Sequence, residues 1–198
     1  MFAGVSKKLL NAKKMNRKFL TLILLLASMA GVATAQNRYG VKSGIITQQS
    51  QMGETTIYFD NYGALEAQKM KMDFMGSAME MCIIRKDGKT WMVNSSEKQV
   101  QEMPVQGADV NFLNLTDAVK SQYKIKEAGK EKVLGRECTK YTMTMDQMGM
   151  SMEQTVWVWN GITLKSLTDG GQFQFGNEAV KFEENVEVPA SVFEIPKF

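Results

Sequence analysis

No histidine occurs in this chain of 198 residues. Histidine is the commonest general base in enzymes and the commonest metal ligand in proteins. Its absence excludes a Ser-His-Asp triad, a Cys-His pair and a conventional zinc site. The carboxylates are scattered, with Glu183 and Glu184 as the only adjacent pair, and no glycine-rich phosphate loop follows a predicted strand. We therefore expect a protein that is not an enzyme and that holds no cofactor.

Long apolar runs are also missing. The longest, residues 19–27, is too short to cross a bilayer as a helix, which takes about 20 residues. It follows six basic residues and precedes small residues ending at Ala35, an arrangement typical of a cleavable secretory signal peptide. The sequence therefore predicts a signal peptide over residues 1–35, cleavage between Ala35 and Gln36, and one periplasmic or secreted domain over residues 36–198. Both Met1 and Met15 remain open as the true start.

Positive charge is scarce once the predicted leader is removed. The whole chain has 24 basic and 21 acidic residues, a net charge of +3. All six basic residues of the leader leave with it, so that 18 basic residues face 21 acidic ones. The mildly acidic domain lacks the clustered positive field that phosphate backbones require. We therefore expect no nucleic-acid partner.

Cysteine is limited to Cys82 and Cys138. Neither stands at the predicted cleavage point, where a lipid-anchored protein needs a cysteine, and we therefore expect no lipid anchor. Both residues fall in predicted strands. An oxidising compartment permits a disulfide between them, whereas the alternative is two free thiols packed as small apolar side chains. The sequence leaves both interpretations open.

Alternation of apolar and polar side chains dominates from Tyr39 onward and indicates antiparallel strands. Asp87-Gly88 and Asn160-Gly161 are the strongest hairpin signals. The pattern predicts nine or ten strands in one mainly β (α+β) domain. The predicted strands cover residues 44–51, 53–59, 64–74, 79–85, 90–94, 131–134, 137–145, 152–159, 162–168 and 172–182.

Two segments depart from this alternation. Phe112, Leu115 and Val119 recur at helical spacing, which predicts one short helix in the middle of the chain. Pro189 and Pro196 bracket a C-terminal tail, whose apolar side chains we expect to pack against the sheet.

Methionine is abundant, with 16 in the chain and 13 of them beyond residue 35. Three interpretations are open. Methionine fills core positions and turns, or it lines an apolar cavity that adapts to varied acyl chains. In the third, a metal-handling alternative, the thioethers of Met148, Met150 and Met152 bind Cu(I) or Ag(I). The candidate apolar ligand-binding residues are methionines that alternate along predicted strands and two tryptophans of one strand face: Met70, Met72, Met79, Met81, Met143, Met145, Trp157 and Trp159.

Three local patterns together carry a resemblance to a known group of proteins. They are the segment 133–141 (VLGRECTKY), the segment 156–165 (VWVWNGITLK) and the Pro-x-x-x-Phe-x-x-Pro ending that runs from Pro189 to Pro196. With the leader, the meander and the mid-chain helix, they resemble small secreted bacterial proteins of unknown function. The architecture of that group is similar to that of the periplasmic lipoprotein carrier LolA.

The resemblance implies a strongly curved sheet, an unclosed half-barrel, with an apolar concave face. Proteins similar to LolA bind acyl chains or other hydrophobic partners on this face. The resemblance therefore implies an exported protein that binds a lipid, an acyl chain or a lipoprotein, and an outer-membrane or lipoprotein partner. A structural or interaction module without a small ligand is the other alternative.

Overall fold

The computed structural model describes residues 37–51, 53–74, 77–103, 110–147, 150–169 and 174–198. The predicted signal peptide and its Ala35–Gln36 cleavage point lie outside these residues. Within them, no helix is long and apolar enough to cross a membrane.

One antiparallel sheet of eleven strands forms the domain, in the order β6-β5-β4-β3-β2-β1-β11-β10-β9-β8-β7. Two meanders therefore meet where the first strand pairs with the last, and the sheet remains open between its edge strands β6 and β7. This confirms the predicted mainly β, unclosed meander. The strands are β1 Gly44–Ser50, β2 Gly53–Asp60, β3 Leu65–Phe74, β4 Ser77–Lys86, β5 Lys89–Asn94, β6 Gln99–Met103, β7 Lys126–Val133, β8 Arg136–Gln147, β9 Met150–Trp159, β10 Ile162–Asp169 and β11 Gln174–Glu184.

The two strongest hairpin signals form the turns that they predict. Asp87 and Gly88 have φ of 53° and 73°, and Asn160 and Gly161 have φ of 47° and 80°. Positive φ at both central residues is the mark of a type I′ turn, which matches the twist of the flanking strands. A Cβ atom at Gly161 would also lie 2.3 Å from the backbone oxygen of Arg38, so this turn admits only glycine. The hairpin thereby sets the position of the N-terminal segment.

Strand β6 and the first half of β7 are absent from the sequence prediction. These are the two edge strands, and β7 (KEAGKEKV) is exposed at every position except Val133. A charged edge strand with both faces in water carries no apolar alternation, although it protects the sheet from pairing with other chains. The pattern on which the prediction relied is therefore missing at these positions.

We name the two faces of the sheet from its residue register. The inner face carries Ile57, Glu66, Arg85 and Met143. Because side chains alternate along each strand, the residue next to an inner-face residue lies on the outer face, as Ala67 does beside Glu66. Each face is covered in part by a short segment of chain.

A helical segment packs on the inner face of β8 and β9. It contains a 3-10 turn, Phe112–Asn114, and the helix α1, Asp117–Gln122, whose first turn is capped by the hydroxyl of Thr116. The predicted helix is thus divided at Leu115, which has an extended backbone. Apolar side chains of this segment join Met143, Val156 and Val158 in one core cluster.

The C-terminal tail packs on the outer face of β1 to β5. Val188 and Phe193 are buried there against Ala67, Ile84 and Val93. Pro189 precedes the 3-10 turn Ala190–Phe193, and Phe193, the last residue of this turn, is buried in the cluster. The predicted packed tail is therefore confirmed.

The two C-terminal phenylalanines provide a matched test of this packing. Phe193 is 2% exposed and Phe198 is 61% exposed. We expect Phe193→Ala to lower the free energy of unfolding by about 3–5 kcal/mol, because it leaves a cavity in the outer cluster. Phe198→Ala should change it by less than about 0.5 kcal/mol. Urea unfolding of both variants measures the difference, and equal stabilities would contradict the tail's role in the core.

Candidate functional site

A cavity of about 270 Å³ lies on the inner face. Arg85 of β4 and Met143 of β8 both line it, although these strands are seven positions apart in the sheet. In a flat sheet that separation would be about 34 Å, at about 4.8 Å between strands. The sheet is therefore strongly curved and the inner face is its concave face. The lining residues are Arg38, Tyr39, Ile46, Gln48, Ile57, Glu66, Gln68, Arg85, Val110, Phe112, Met143, Gln154, Val156, Gly161, Ile162, Thr163, Ser166 and Asn177.

The N-terminal segment brings two of these side chains to the cavity. The backbone nitrogen of Arg38 donates to Tyr62 O at 2.9 Å, and that of Gly40 donates to Asn160 O at 2.9 Å. These bonds tie residues 38–40 to the β2–β3 and β9–β10 turns. Arg38 and Tyr39 are thereby held at one end of the inner face.

A polar cluster of Tyr39, Glu66, Gln68 and Arg85 occupies this end. The Glu66 carboxylate is buried and accepts hydrogen bonds from the Tyr39 hydroxyl and from Gln68 Nε2, the latter at 2.7 Å. Arg85 Nη1 lies 3.5 Å from Glu66 Oε1 and completes an ion pair. A buried carboxylate needs such partners, because leaving it without them costs several kcal/mol. The cluster therefore fixes these side chains around the cavity.

Tyr39 is held in its protonated form within this cluster. Withdrawal from water raises the pKa of its phenol well above the ordinary value, and the adjacent Glu66 charge and hydrogen bond raise that pKa further. The phenol therefore remains protonated and serves Glu66 as a hydrogen-bond donor at physiological pH.

Further polar side chains line the cavity beyond the cluster. Gln48, which is buried, donates from Nε2 to Thr163 O at 3.1 Å. Ser166 Oγ donates to Asn177 Oδ1 at 2.6 Å, and Gln154 Nε2 donates to Thr168 Oγ1 at 3.2 Å. The cavity lining therefore combines these polar side chains with apolar ones such as Ile46 and Val156.

The methionines of the described strands share one face of the sheet. All ten methionines in the described strands fall at inner-face positions of the register. Three pairs are direct partners across neighbouring strands: Met70 with Met81, Met72 with Met79, and Met145 with Met152. The ten are Met70, Met72, Met79, Met81, Met92, Met103, Met143, Met145, Met150 and Met152.

The candidate ligand-binding residues divide into two groups. Six of them, the methionines, fall at inner-face positions of the register, and Met143 lines the cavity. Trp157 and Trp159 occupy the other face of β9 and do not line it. Trp157 Nε1 donates to Glu131 Oε2 at 2.8 Å. Its ring centroid lies 5.0 Å from each of two lysine ammonium groups, while Trp159 packs on Phe182 and Arg136.

The described residues of the soft-metal and disulfide alternatives lie on three strands, β4, β8 and β9. Of the three residues of the soft-metal alternative, Met150 and Met152 fall at inner-face positions, and Met148 lies outside the described residues. Cys82 on β4 and Cys138 on β8 are free thiols that belong to different core clusters, and a disulfide between them stays a prediction. Burial raises the pKa of both thiols. In the described ranges, no three His, Cys, Asp or Glu side chains cluster closely enough to hold a metal ion.

The polar cluster is absent from the sequence prediction, which treats the carboxylates as scattered. A signal was nevertheless present along β3. Its inner-face positions run Glu66, Gln68, Met70 and Met72, so that polar residues give way to methionines along one face. An inward-facing polar pair beside an apolar series indicates a lined cavity rather than a solvated face.

Comparison with solved structures supports the fold. An uncharacterized conserved protein from Thermus thermophilus is similar over 80% of this chain and 88% of its own, with 13% identity and a TM-score of 0.52. The Mycobacterium tuberculosis lipoprotein LppX has 12% identity over 76% of this chain and 91% of its own, with a TM-score of 0.38. A chain of the Pseudomonas aeruginosa MucA/MucB complex has 16% identity over 78% and 56%, with a TM-score of 0.47. At 13% identity the first of these similarities concerns the fold alone, and the other two, with TM-scores below 0.5, carry no argument.

Comparison with protein sequences identifies a family. No curated protein matches the chain. The profile of the family described as "Domain of unknown function (DUF4412)" matches residues 43–187, which span β1 to β11 and the helical segment. The predicted membership of a family of unknown function is thus confirmed, and the chain belongs to the DUF4412 family.

Proposed function

We propose that this protein is an exported, non-enzymatic binding protein that holds an acyl chain, of a free lipid or of a lipoprotein, on the inner face of its half-barrel. The observation that carries the proposal is the methionine register, in which all ten methionines of the described strands fall at positions of that face. A residue type used only as general core filler would be divided between the two faces of the sheet.

The way in which the sheet is covered supports this assignment. Residues of the tail pack on the outer face of β1 to β5, and the helical segment packs on the inner face of β8 and β9. Within the described part of the chain, Met70, Met81, Ile83 and Met92 are half-buried and belong to none of the core clusters. Their apolar surface is available to a ligand, and burying it would contribute about 25 cal/mol per Å².

Methionine suits an acyl chain for a physical reason. Its side chain is unbranched, has three rotatable bonds and is polarizable, so that it adapts to irregular apolar partners. The cross-strand pair of Met70 and Met81 doubles this surface at one place on the inner face. The predicted signal peptide over residues 1–35 supports export to a compartment where lipids are handled.

A bound lipid should be detectable directly. We expect native mass spectrometry of the protein purified from a bacterial periplasm to show a population heavier than the protein by the mass of a lipid. Denaturing extraction and lipid mass spectrometry of the same sample should identify an acyl-containing molecule. A protein that has only its own mass, and that also fails to bind the neutral probe 1-N-phenylnaphthylamine, would contradict the proposal.

The inner-face methionines can be tested by paired substitutions. We expect Met70→Gln with Met81→Gln to weaken 1-N-phenylnaphthylamine binding by about tenfold, because two half-buried apolar side chains become polar at nearly constant size. Met70→Leu with Met81→Leu should retain the affinity. Fluorescence titration gives the dissociation constants.

A matched control lies away from the inner face cavity. Val180 is an apolar strand residue that is 52% exposed, and Val180→Gln should leave probe binding unchanged. Thermal unfolding of each variant shows whether the fold is retained. Equal probe affinities for the glutamine and leucine pairs, in variants that remain folded, would exclude this methionine surface as the binding site.

A further inference from the structure

From the exposure of the inner-face thioethers, we infer that Met70, Met81 and Met92 form a reversible oxidation site that controls ligand binding. We call these three residues the methionine patch. A peroxide converts their thioethers to sulfoxides, and the apolar surface that holds the ligand thereby becomes polar and releases it. The inference rests on the proposed binding of an acyl chain and names the regulation of that same site.

The methionine patch is open to a small oxidant. Its three residues are half-buried and lie at inner-face positions of β3, β4 and β5. Two other inner-face methionines, Met143 and Met152, are only 4% and 7% exposed. Susceptibility to oxidation follows exposure, and hydrogen peroxide is little larger than water. The fold therefore separates methionines that a peroxide reaches from methionines that it shields.

The patch is continuous across three neighbouring strands. Met70 and Met81 are direct partners in the register of β3 with β4. Ile83, the next inner-face residue along β4, is the direct partner of Met92 on β5. Direct partners on neighbouring strands have Cβ atoms about 4.5–5.5 Å apart. Oxidation at any of the three sulfur atoms therefore changes the polarity of one shared apolar surface.

The chemistry at each thioether is the transfer of one oxygen atom. A sulfur lone pair attacks one oxygen of hydrogen peroxide, and the O–O bond breaks. The hydroxide that departs takes the proton of the new S–OH group and leaves as water. Sulfur has then lost two electrons, and the peroxide has gained them. The sulfoxide is polar, and methionine sulfoxide reductases restore the thioether, so that the surface can return to its apolar form.

The two cysteines do not provide this response. Peroxides attack the thiolate form of cysteine, and burial raises the pKa of the Cys82 and Cys138 thiols, so that less thiolate is present. Both residues also lie at outer-face positions of the register. Oxidation of either thiol leaves the inner face unchanged. A loss of binding after peroxide treatment therefore reports on thioethers rather than on thiols.

The rates of oxidation test the site in purified, ligand-free protein. Hydrogen peroxide is added, samples are digested at intervals, and peptide mass spectrometry locates each added oxygen. We expect the methionine patch to be oxidised at least about tenfold faster than Met143 and Met152, because a buried thioether reacts only when the fold opens locally. Equal rates at all five methionines, in protein whose circular dichroism remains that of the untreated sample, would contradict the inference.

The effect on binding is measured with 1-N-phenylnaphthylamine before and after peroxide treatment. We expect the affinity to fall by about tenfold, because apolar surface is lost, and to recover after treatment with methionine sulfoxide reductases. A triple variant, Met70→Leu with Met81→Leu and Met92→Leu, should bind the probe and keep its affinity in peroxide, because leucine has no sulfur. The matched control Met143→Leu should remain as sensitive to peroxide as the original protein.

The outcomes distinguish this inference from the proposed function. If the methionine patch is oxidised without loss of affinity, the regulatory inference is wrong and acyl binding stands. The same conclusion follows if the folded triple leucine variant loses as much affinity in peroxide as the original protein. If the untreated protein does not bind the probe, the proposed function fails, and its regulation fails with it.

Discussion

A single sheet has two faces that must be covered, and in the described part of this chain two short segments cover them, together with the N-terminal residues 37–43. The tail packs on the outer face of β1 to β5, and the segment from Val110 to Ile125 packs on the inner face of β8 and β9. Two packed layers are the minimum for a stable domain. Because the two segments cover opposite faces in opposite halves, the inner face of the first meander keeps half-buried apolar side chains that join no core cluster among the described residues. The open site is a direct consequence of this unequal coverage.

An irregular stretch of β10 contributes to the curvature of the sheet. Phe59 and Ile46 are almost completely buried at the junction of the two meanders, where β1 pairs with β11. Strand β10 has a register shift between Thr163 and Lys165, and only its second part pairs with β11. Leu164, which lies within this irregular stretch, is completely buried and joins Ile46 and Phe59 in one cluster. Bulges of this kind bend a sheet and increase its twist, which brings β4 and β8 to a common cavity.

The sequence contained most of the fold and only half of the site. Period-2 alternation predicted every strand that has one buried face, and Asp-Gly and Asn-Gly fixed two hairpins, because these signals are local. It missed β6, which has only five residues, and much of β7, which is exposed at every position except Val133. The inner-face methionines were also predictable, since alternation assigns residues to faces. The polar cluster was not, because Tyr39 and Glu66 are 27 residues apart and Arg85 joins them only through the register of β3 with β4.

The composition of the core clusters separates packing from binding. Of the residues that form the three clusters in the described part of the chain, Met143 is the one methionine, and the others are mostly branched or aromatic. Branched side chains have few rotamers and specify a unique packing, whereas methionine adapts to its partner. The polar cluster is equally unsuited to a purely structural role, because a buried ion pair is often no more stabilising than apolar residues of the same volume. A fold that needed only stability would have branched residues where Met70 and Met81 lie and apolar ones where Glu66 and Arg85 lie. Both departures occur on the inner face, where we propose that a ligand binds.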